Sequence, residues 1–242
     1  MAKKHPKGAS KTDYFARTGI AGLDSLMGGG FEAEGTNLIR GSTGSGKTLF
    51  CLQSLVSACD RYDECGAFIS FEESKESVYR SAKGIGCDLS ALEKKGKFVF
   101  ARYSPHEVAA IIKEGGGMIR DSIEAVGAKR VAIDSLTAYS LLFETPYESN
   151  EGLLALFEIL NRWKVTTLLT DEKDVDISSS ESGRLGFLSD SIIHLYNVRT
   201  GQTRARAMEV VKMRHAVHSN KLIPFKIEKR GIVIYPDMQL LV

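Results

Sequence analysis

Residues Gly41–Thr48 read Gly-Ser-Thr-Gly-Ser-Gly-Lys-Thr, a complete match to G-x-x-x-x-G-K-[ST]. The context is as informative as the match. An apolar run, Thr36–Gly41 (TNLIRG), ends on the first glycine, and Thr48–Cys59 (TLFCLQSLVSAC) has helical spacing, with Leu49, Leu52 and Leu55/Val56 on one side. Strand, glycine-rich loop and helix in that order make a phosphate cradle. The loop residues Gly41, Ser42, Thr43, Gly44, Ser45 and Gly46 let backbone N–H groups turn toward an anion, and the helix adds the positive end of its dipole. Lys47 is then placed to bridge β- and γ-phosphates, and the Thr48 hydroxyl to ligate Mg²⁺. Such a unit constrains the rest of the chain to a mainly parallel sheet with helices on its faces.

The remaining pattern agrees. Strands are expected at Ala67–Phe71, Lys97–Tyr103, Arg130–Asp134 and Val165–Thr170. Between them lie helical stretches at Ser74–Lys83, with Ser74 as cap, at Pro105–Val126, broken near Gly115–Gly117, and at Glu151–Trp163. Ser191–Asn197, Ala205–Met213, Leu222–Glu228 and Gly231–Tyr235 follow as consecutive strands and read as antiparallel additions to the sheet. The expected class is α/β, with one domain over residues 16–242 and a basic, disordered leader over residues 1–15.

Two strands end in acids. Val131-Ala-Ile-Asp134 terminates in a carboxylate suited to hold Mg²⁺, although a strand-end aspartate also caps turns. Phe71-Glu72-Glu73 places two carboxylates at another strand end, where a parallel sheet opens on its ligand crevice. One of them is a candidate to take a proton from an attacking water. Neighbouring strand residues face opposite ways, so one, Glu72, is expected to face the water. The alternative is that both are helix-entry charges.

Composition excludes several classes. Lys and Arg total 32 and Asp and Glu 30, a net +2. Lys3, Lys4, Lys7 and Lys11 lie in residues 1–12, which hold no acid, so the body carries 28 bases against 30 acids. No apolar run approaches the roughly 18 residues of a membrane span. The leader has no apolar stretch behind it and is not a secretory signal. Cys51, Cys59, Cys65 and Cys87 form no C-x-x-C pair, so they are expected as reduced, buried thiols of a cytoplasmic protein. His5, His106, His194, His215 and His218 show no helical i, i+4 pair, so no metal other than Mg²⁺ is assigned.

The motifs also occur in an ordered series. Thr18-Gly-Ile-Ala-Gly-Leu-Asp24 and Gly28-Gly-Gly-Phe31 precede the loop, and Phe71-Glu-Glu-Ser74, Ile133-Asp-Ser135, Lys212-Met-Arg214, His218, Pro224-Phe225 and Gly231 follow it. The series resembles the KaiC-like branch of the RecA superfamily of P-loop ATPases, especially single-domain archaeal members, over residues 16–237. The resemblance implies a RecA-type core, ATP with Mg²⁺ rather than GTP, and a homo-oligomeric, commonly hexameric, ring with ATP at each subunit boundary. It implies that Lys212 and Arg214 reach the neighbour's γ-phosphate and that His218 lines the same border. The chain departs from the family at His215, where the family has Gly, and at Leu168-Leu169-Thr170-Asp171-Glu172. Relatives place a Gln or Glu sensor just after that strand, and here Thr170 or Asp171 is expected to substitute, which argues for slow turnover. No second copy of the domain is present, and Ser178, Ser179, Ser180 and Ser182 read as loop residues rather than phosphorylation sites.

Three functions compete: an ATP-dependent switch acting on a protein partner, a DNA-acting recombinase relative, and a non-hydrolysing ATP-bound scaffold of a motor. Loops at DNA-contacting positions, Leu141–Gly152 and Asp171–Gly186, carry Glu144, Glu148, Glu151, Asp171, Glu172, Asp174, Asp176 and Glu181 against Lys173 and Arg184. Phosphate backbones need bases. Nucleic acid is therefore disfavoured, with the basic leader as its last support, and the switch is preferred.

Overall fold

The computed structural model describes residues 14–174, 183–200 and 202–238. Most of the leader and Ser178, Ser179, Ser180 and Ser182 lie outside the described residues. The chain begins with β1 (Phe15–Ala16), α1 (Leu23–Leu26), β2 (Phe31–Glu32), β3 (Thr36–Gly41), α2 (Lys47–Arg61) and β4 (Cys65–Ser70). It continues through α3 (Lys75–Gly84), α4 (Leu89–Lys94), β5 (Phe98–Arg102), α5 (Pro105–Lys113), α6 (Gly117–Ala125), β6 (Ala128–Asp134) and α7 (Leu136–Ser140). Then come α8 (Pro146–Trp163), β7 (Thr166–Glu172), α9 (Gly183–Leu188), β8 (Ser191–Thr200), β9 (Thr203–Met213), β10 (Ile223–Glu228) and β11 (Gly231–Ile234).

Nine strands form one sheet in the order β11-β10-β9-β8-β3-β7-β6-β4-β5. β3 through β8 run parallel, and β9, β10 and β11 complete it antiparallel. This corrects one expectation. β8 is not an antiparallel addition: it pairs parallel to β3, with Leu38 opposite Ile192, and only its other edge is antiparallel. The reversal begins at the turn between β8 and β9.

Both faces of the sheet are covered. Ile39, Phe68, Leu168 and Ile193 meet Phe50, Leu52 and Leu55 of α2, together with α1, α3 and α4. Leu38, Ile69, Val131, Ile133 and Leu169 meet α5 through α8 by way of Val108, Ile123, Tyr139 and Leu156. This pattern makes a core strand almost continuously apolar. At about 1.5–3 kcal/mol for each large side chain buried, these two layers carry most of the fold's stability.

Local signals explain the helix ends. Ser74 accepts from the Ser77 N–H at 3.4 Å and caps α3. Ser104 and Glu107 form a capping box ahead of Pro105. Gly115 and Gly116 adopt left-handed backbone and separate α5 from α6 where a break was expected. α8 begins five residues before the expected Glu151, because Thr145 and Glu148 form a second capping box with Pro146 at the first position. The leader boundary also moves: Phe15 pairs with Glu32 in β1–β2 and belongs to the body. The cysteines are free, with Cys51 and Cys59 buried, but Cys65 and Cys87 only half-buried.

Candidate nucleotide-binding site

The carboxyl ends of β3, β4, β6 and β7 open on a cavity of about 390 Å³. Its lining includes Thr43, Gly44, Gly46, Lys47, Thr48 and Leu49 from the loop and α2. Glu72 and Glu73 follow β4, Asp134 ends β6, Ser135 caps α7, and Glu172 ends β7. The loop needs its glycines. A Cβ on Gly41 would come within 2.2 Å of the Leu195 carbonyl, and Gly46 has φ +106°, a conformation side chains disfavour.

Lys47 is nine-tenths buried and donates to the carbonyls of Gly41 at 2.8 Å and Ser42 at 3.0 Å. Burial lowers its pKa, and Glu172, Asp134 and Asp171 oppose that shift. Thr48 Oγ1 donates to Asp134 Oδ2 at 2.7 Å, and Thr170 Oγ1 donates to Asp134 Oδ1. Burial raises the Asp134 pKa against those two hydrogen bonds. A cation beside this carboxylate would favour its charged form.

Hydroxyl and carboxylate oxygen side by side are donors that a hard divalent cation accepts. Among the described residues, no three His, Cys, Asp or Glu groups are clustered to hold a metal by themselves. Mg²⁺ takes one or two protein oxygens and completes its shell with phosphates and water. The donor set therefore suits Mg-nucleotide.

Glu72 and Glu73 both line the cavity, against the expectation that one faces it. The alternation argument fails because β4 ends at Ser70. Ser70 Oγ accepts from the N–H groups of Glu72 and Glu73 at 3.3 and 2.9 Å and turns the chain there. Ser135 donates to Glu72 Oε2 at 3.0 Å, and Ser77 to Glu73 Oε2 at 2.6 Å. The peptide bond between Asp134 and Ser135 is cis.

A second correction concerns the end of β7. Thr170 is taken up by Asp134, and Asp171 by Arg40 at 2.7 Å, so neither faces the loop. Glu172 does: it accepts from Thr43 Oγ1, and its carboxylate lies 3.8 Å from Lys47 Nζ. The expected strand stopped at Thr170, two residues short. Reading on to the strand-end acid, the signal that marked Asp134, would have found it. Arg206 and Ile227 also line the cavity, and Arg206 donates to the Gly44 carbonyl at 3.3 Å. No motif announces these two.

Lys212, Arg214 and His218 lie elsewhere. Met213 pairs with Ser191, the β8 residue that pairs with Asn37 of β3. That is the entry end of the sheet, four residues or about 13 Å of strand from Gly41. Lys212 Nζ donates to the carbonyls of Gly186 and Ser189 at 2.6 and 2.7 Å. Arg214 donates to Asp190 Oδ1 at 2.9 Å and to the Phe187 carbonyl at 3.0 Å. His218 Nδ1 is 3.1 Å from the Ser219 carbonyl, and His215 Nδ1 is 2.6 Å from Glu32 Oε1. The structure brings none of these to the chain's own phosphate loop.

A phosphate loop at the carboxyl edge of this sheet defines a P-loop nucleotide-binding protein with a RecA-type core. A family model described as "ATPase: KaiC" matches residues 16–239. The chain belongs to the KaiC family of ATPases and is a nucleotide-binding domain of that type. The circadian clock oscillator protein KaiC of Parathermosynechococcus lividus is 32% identical over 231 residues, covering 91% of this chain and 42% of that protein. KaiC of Prochlorococcus marinus subsp. pastoris is 36% identical over 225 residues, covering 90% and 44%. The chain thus spans less than half the length of these two relatives. Among solved structures, the KaiC-like protein of the hyperthermophilic archaeon Pyrococcus horikoshii OT3 superposes with TM-score 0.81 at 33% identity, covering 92% of this chain and 99% of that one.

Proposed function

We propose that this chain binds Mg-ATP in the cavity at the end of β3, hydrolyses it, and works as an oligomeric nucleotide switch on a protein partner. The observation that carries this reading is the convergence of Lys47, Thr48, Asp134, Glu72 and Glu73 on one cavity. Bound Mg²⁺ would neutralise charge on the β- and γ-phosphates. Thr48 and Asp134 are the residues to hold it. Lys47 exchanges the Gly41 and Ser42 carbonyls for phosphate oxygens. Glu72 or Glu73 orients the attacking water and takes its proton as the γ-phosphoryl group leaves ADP.

In a head-to-tail ring, the entry end of one sheet faces the phosphate loop of the next subunit. Lys212, Arg214 and His218 then act in trans, with Arg214 stabilising γ-phosphate charge. Exposed acids at Glu144, Glu148 and Glu151 support a protein partner over nucleic acid. No helix of the described residues is long and apolar enough to cross a membrane.

The test is phosphate release with Mg-ATP and with EDTA, alongside molecular size with and without Mg-ATP. Mg-dependent release and a nucleotide-dependent oligomer are expected. Release at the no-protein rate overturns hydrolysis, and a monomer at saturating Mg-ATP overturns the trans roles.

A further inference from the structure

Glu172 is held from behind as well as by the loop. Its backbone N–H donates to Thr137 Oγ1 at 2.7 Å, and that hydroxyl donates to Asp171 Oδ1 at 3.3 Å. The second Asp171 oxygen accepts from Arg40 Nε at 2.7 Å. Register explains the arrangement. Arg40 lies opposite Asp171, and Gly41 opposite Glu172, so the ion pair sits one residue behind the loop and its facing acid. Side chains alternate along a strand, so Arg40 and Asp171 lie on the face away from α2, beside α7.

Arg40 is 3% exposed and Asp171 9%. A buried ion pair is a poor source of stability compared with an apolar pair of similar size. Neighbouring positions on these strands, Leu38 and Leu169, are apolar. The pair has a positional consequence instead. The Asp171 carboxylate fixes the Thr137 hydroxyl proton, which leaves a Thr137 lone pair for the Glu172 N–H. The Glu172 carboxylate is thereby kept at Thr43 and Lys47.

We infer that Arg40, Asp171 and Thr137 are positioning residues that fix Glu172 against the phosphate loop and set how the site discriminates a nucleoside triphosphate from a diphosphate. The inference rests on the nucleotide reading of the site. A carboxylate at the loop competes with phosphate oxygens for Lys47 and the Thr43 hydroxyl, and the conflict grows with the charge of the ligand. Fixed in place, Glu172 penalises a triphosphate more than a diphosphate. Released, it turns to solvent and the penalty falls.

Two readouts keep the inference separate from the reading beneath it. Hydrogen exchange of the Glu172 amide in nucleotide-free protein should be slow in wild type and Thr137→Ser, and at least several-fold faster in Thr137→Val and Asp171→Asn. Equal exchange in wild type and Thr137→Val overturns the positioning chain. Affinities for ADP and for a non-hydrolysable ATP analogue, in excess Mg²⁺, test the consequence. Glu172→Gln should raise the triphosphate-to-diphosphate affinity ratio about 5–10-fold, Thr137→Val should raise it less, and the double variant should match Glu172→Gln alone. Full additivity, or no effect of Thr137→Val, overturns the inference. Wild type that binds neither nucleotide overturns the nucleotide reading and the discrimination, while the amide exchange still decides the positioning chain.

Discussion

The two ends of the sheet use charge differently. At the carboxyl end, the side chains with nucleotide chemistry meet within a single chain: Lys47 and Thr48 lie beside Asp134, Glu72, Glu73 and Glu172. At the entry end, Lys212 and Arg214 are occupied by the chain's own backbone and by Asp190. Asp190 also accepts from the Thr36 N–H at 2.9 Å, so this cluster is tied to the first residue of the strand that ends in the phosphate loop. One end gathers its groups in cis around the phosphate loop, and the other holds two cations on its own carbonyls and Asp190. Two such ends on opposite edges of one sheet suit a head-to-tail contact, which closes into a ring when its rotation allows.

The sharpest way to break that comparison is Arg214→Ala. Loss of a trans-acting guanidinium should lower phosphate release by about 10³-fold. Nucleotide affinity of the isolated chain should change little, because Arg214 is remote from its own loop. Mixing Arg214→Ala with Lys47→Ala subunits should restore part of the activity, since some boundaries then pair an intact loop with an intact arginine. Mixtures as inactive as either variant alone would place Arg214 in a purely structural role at Asp190.

The next effect belongs to the carboxyl end. Glu72→Gln/Glu73→Gln should lower turnover by about 10²-fold with a nearly unchanged Kd for Mg-ATP, as removal of a proton acceptor does. Each single variant separates the pair. Glu72 is restrained by Ser135, the cap of α7, and Glu73 by Ser77 on α3, so the two carboxylates answer to different elements. Equal losses in both single variants would show that the two act together.

The same division governs what the sequence revealed. Residues 41–46 act through backbone geometry and Lys47 and Thr48 through side chains at a fixed offset from it, so their spacing alone announces them. Asp134 closes an apolar run and is equally visible. Glu172 was overlooked because Asp171 precedes it, and Asp171 is an acid on a core strand whose partner, Arg40, lies 131 residues away in the chain. Arg130 opens a strand expected from its apolar run, and it is fully buried, held by Glu64 at 2.9 Å and the Arg17 carbonyl at 2.6 Å, partners that the sequence did not announce. The direction of β8 was not legible either. Strand polarity in a sheet depends on the connection before it, and α9 (Gly183–Leu188), which precedes β8, was not read from the sequence. Arg206 enters the cavity from β9, two strands from β3, and only tertiary pairing brings it there.

The smallest effect is expected at the seam between the two halves. His194 lies on β8, with Arg40 of the parallel side opposite it on one edge and Glu209 of the antiparallel side on the other. It is 2% exposed, with Nδ1 3.3 Å from the Tyr196 hydroxyl, which in turn donates to Glu209. Burial first, then the positive charges of Arg40 and Lys173, pull its pKa down to about 4 from the ordinary 6.5. Below pH 6.5 the unfolded chain takes up a proton that the folded chain refuses, so stability present above that pH is lost as the pH falls toward about 4. The slope in that window should be about 1.4 kcal/mol per pH unit. Denaturant unfolding between pH 7.5 and 4.5 measures it. Asp and Glu groups add slopes of their own toward the acid end, so the comparison is with His194→Phe, which should flatten the curve between pH 6.5 and 5 and leave the region above pH 7 parallel to wild type. Identical slopes in the two proteins would mean that His194 accepts its proton in the folded state, with Glu209 rather than Arg40 setting its charge.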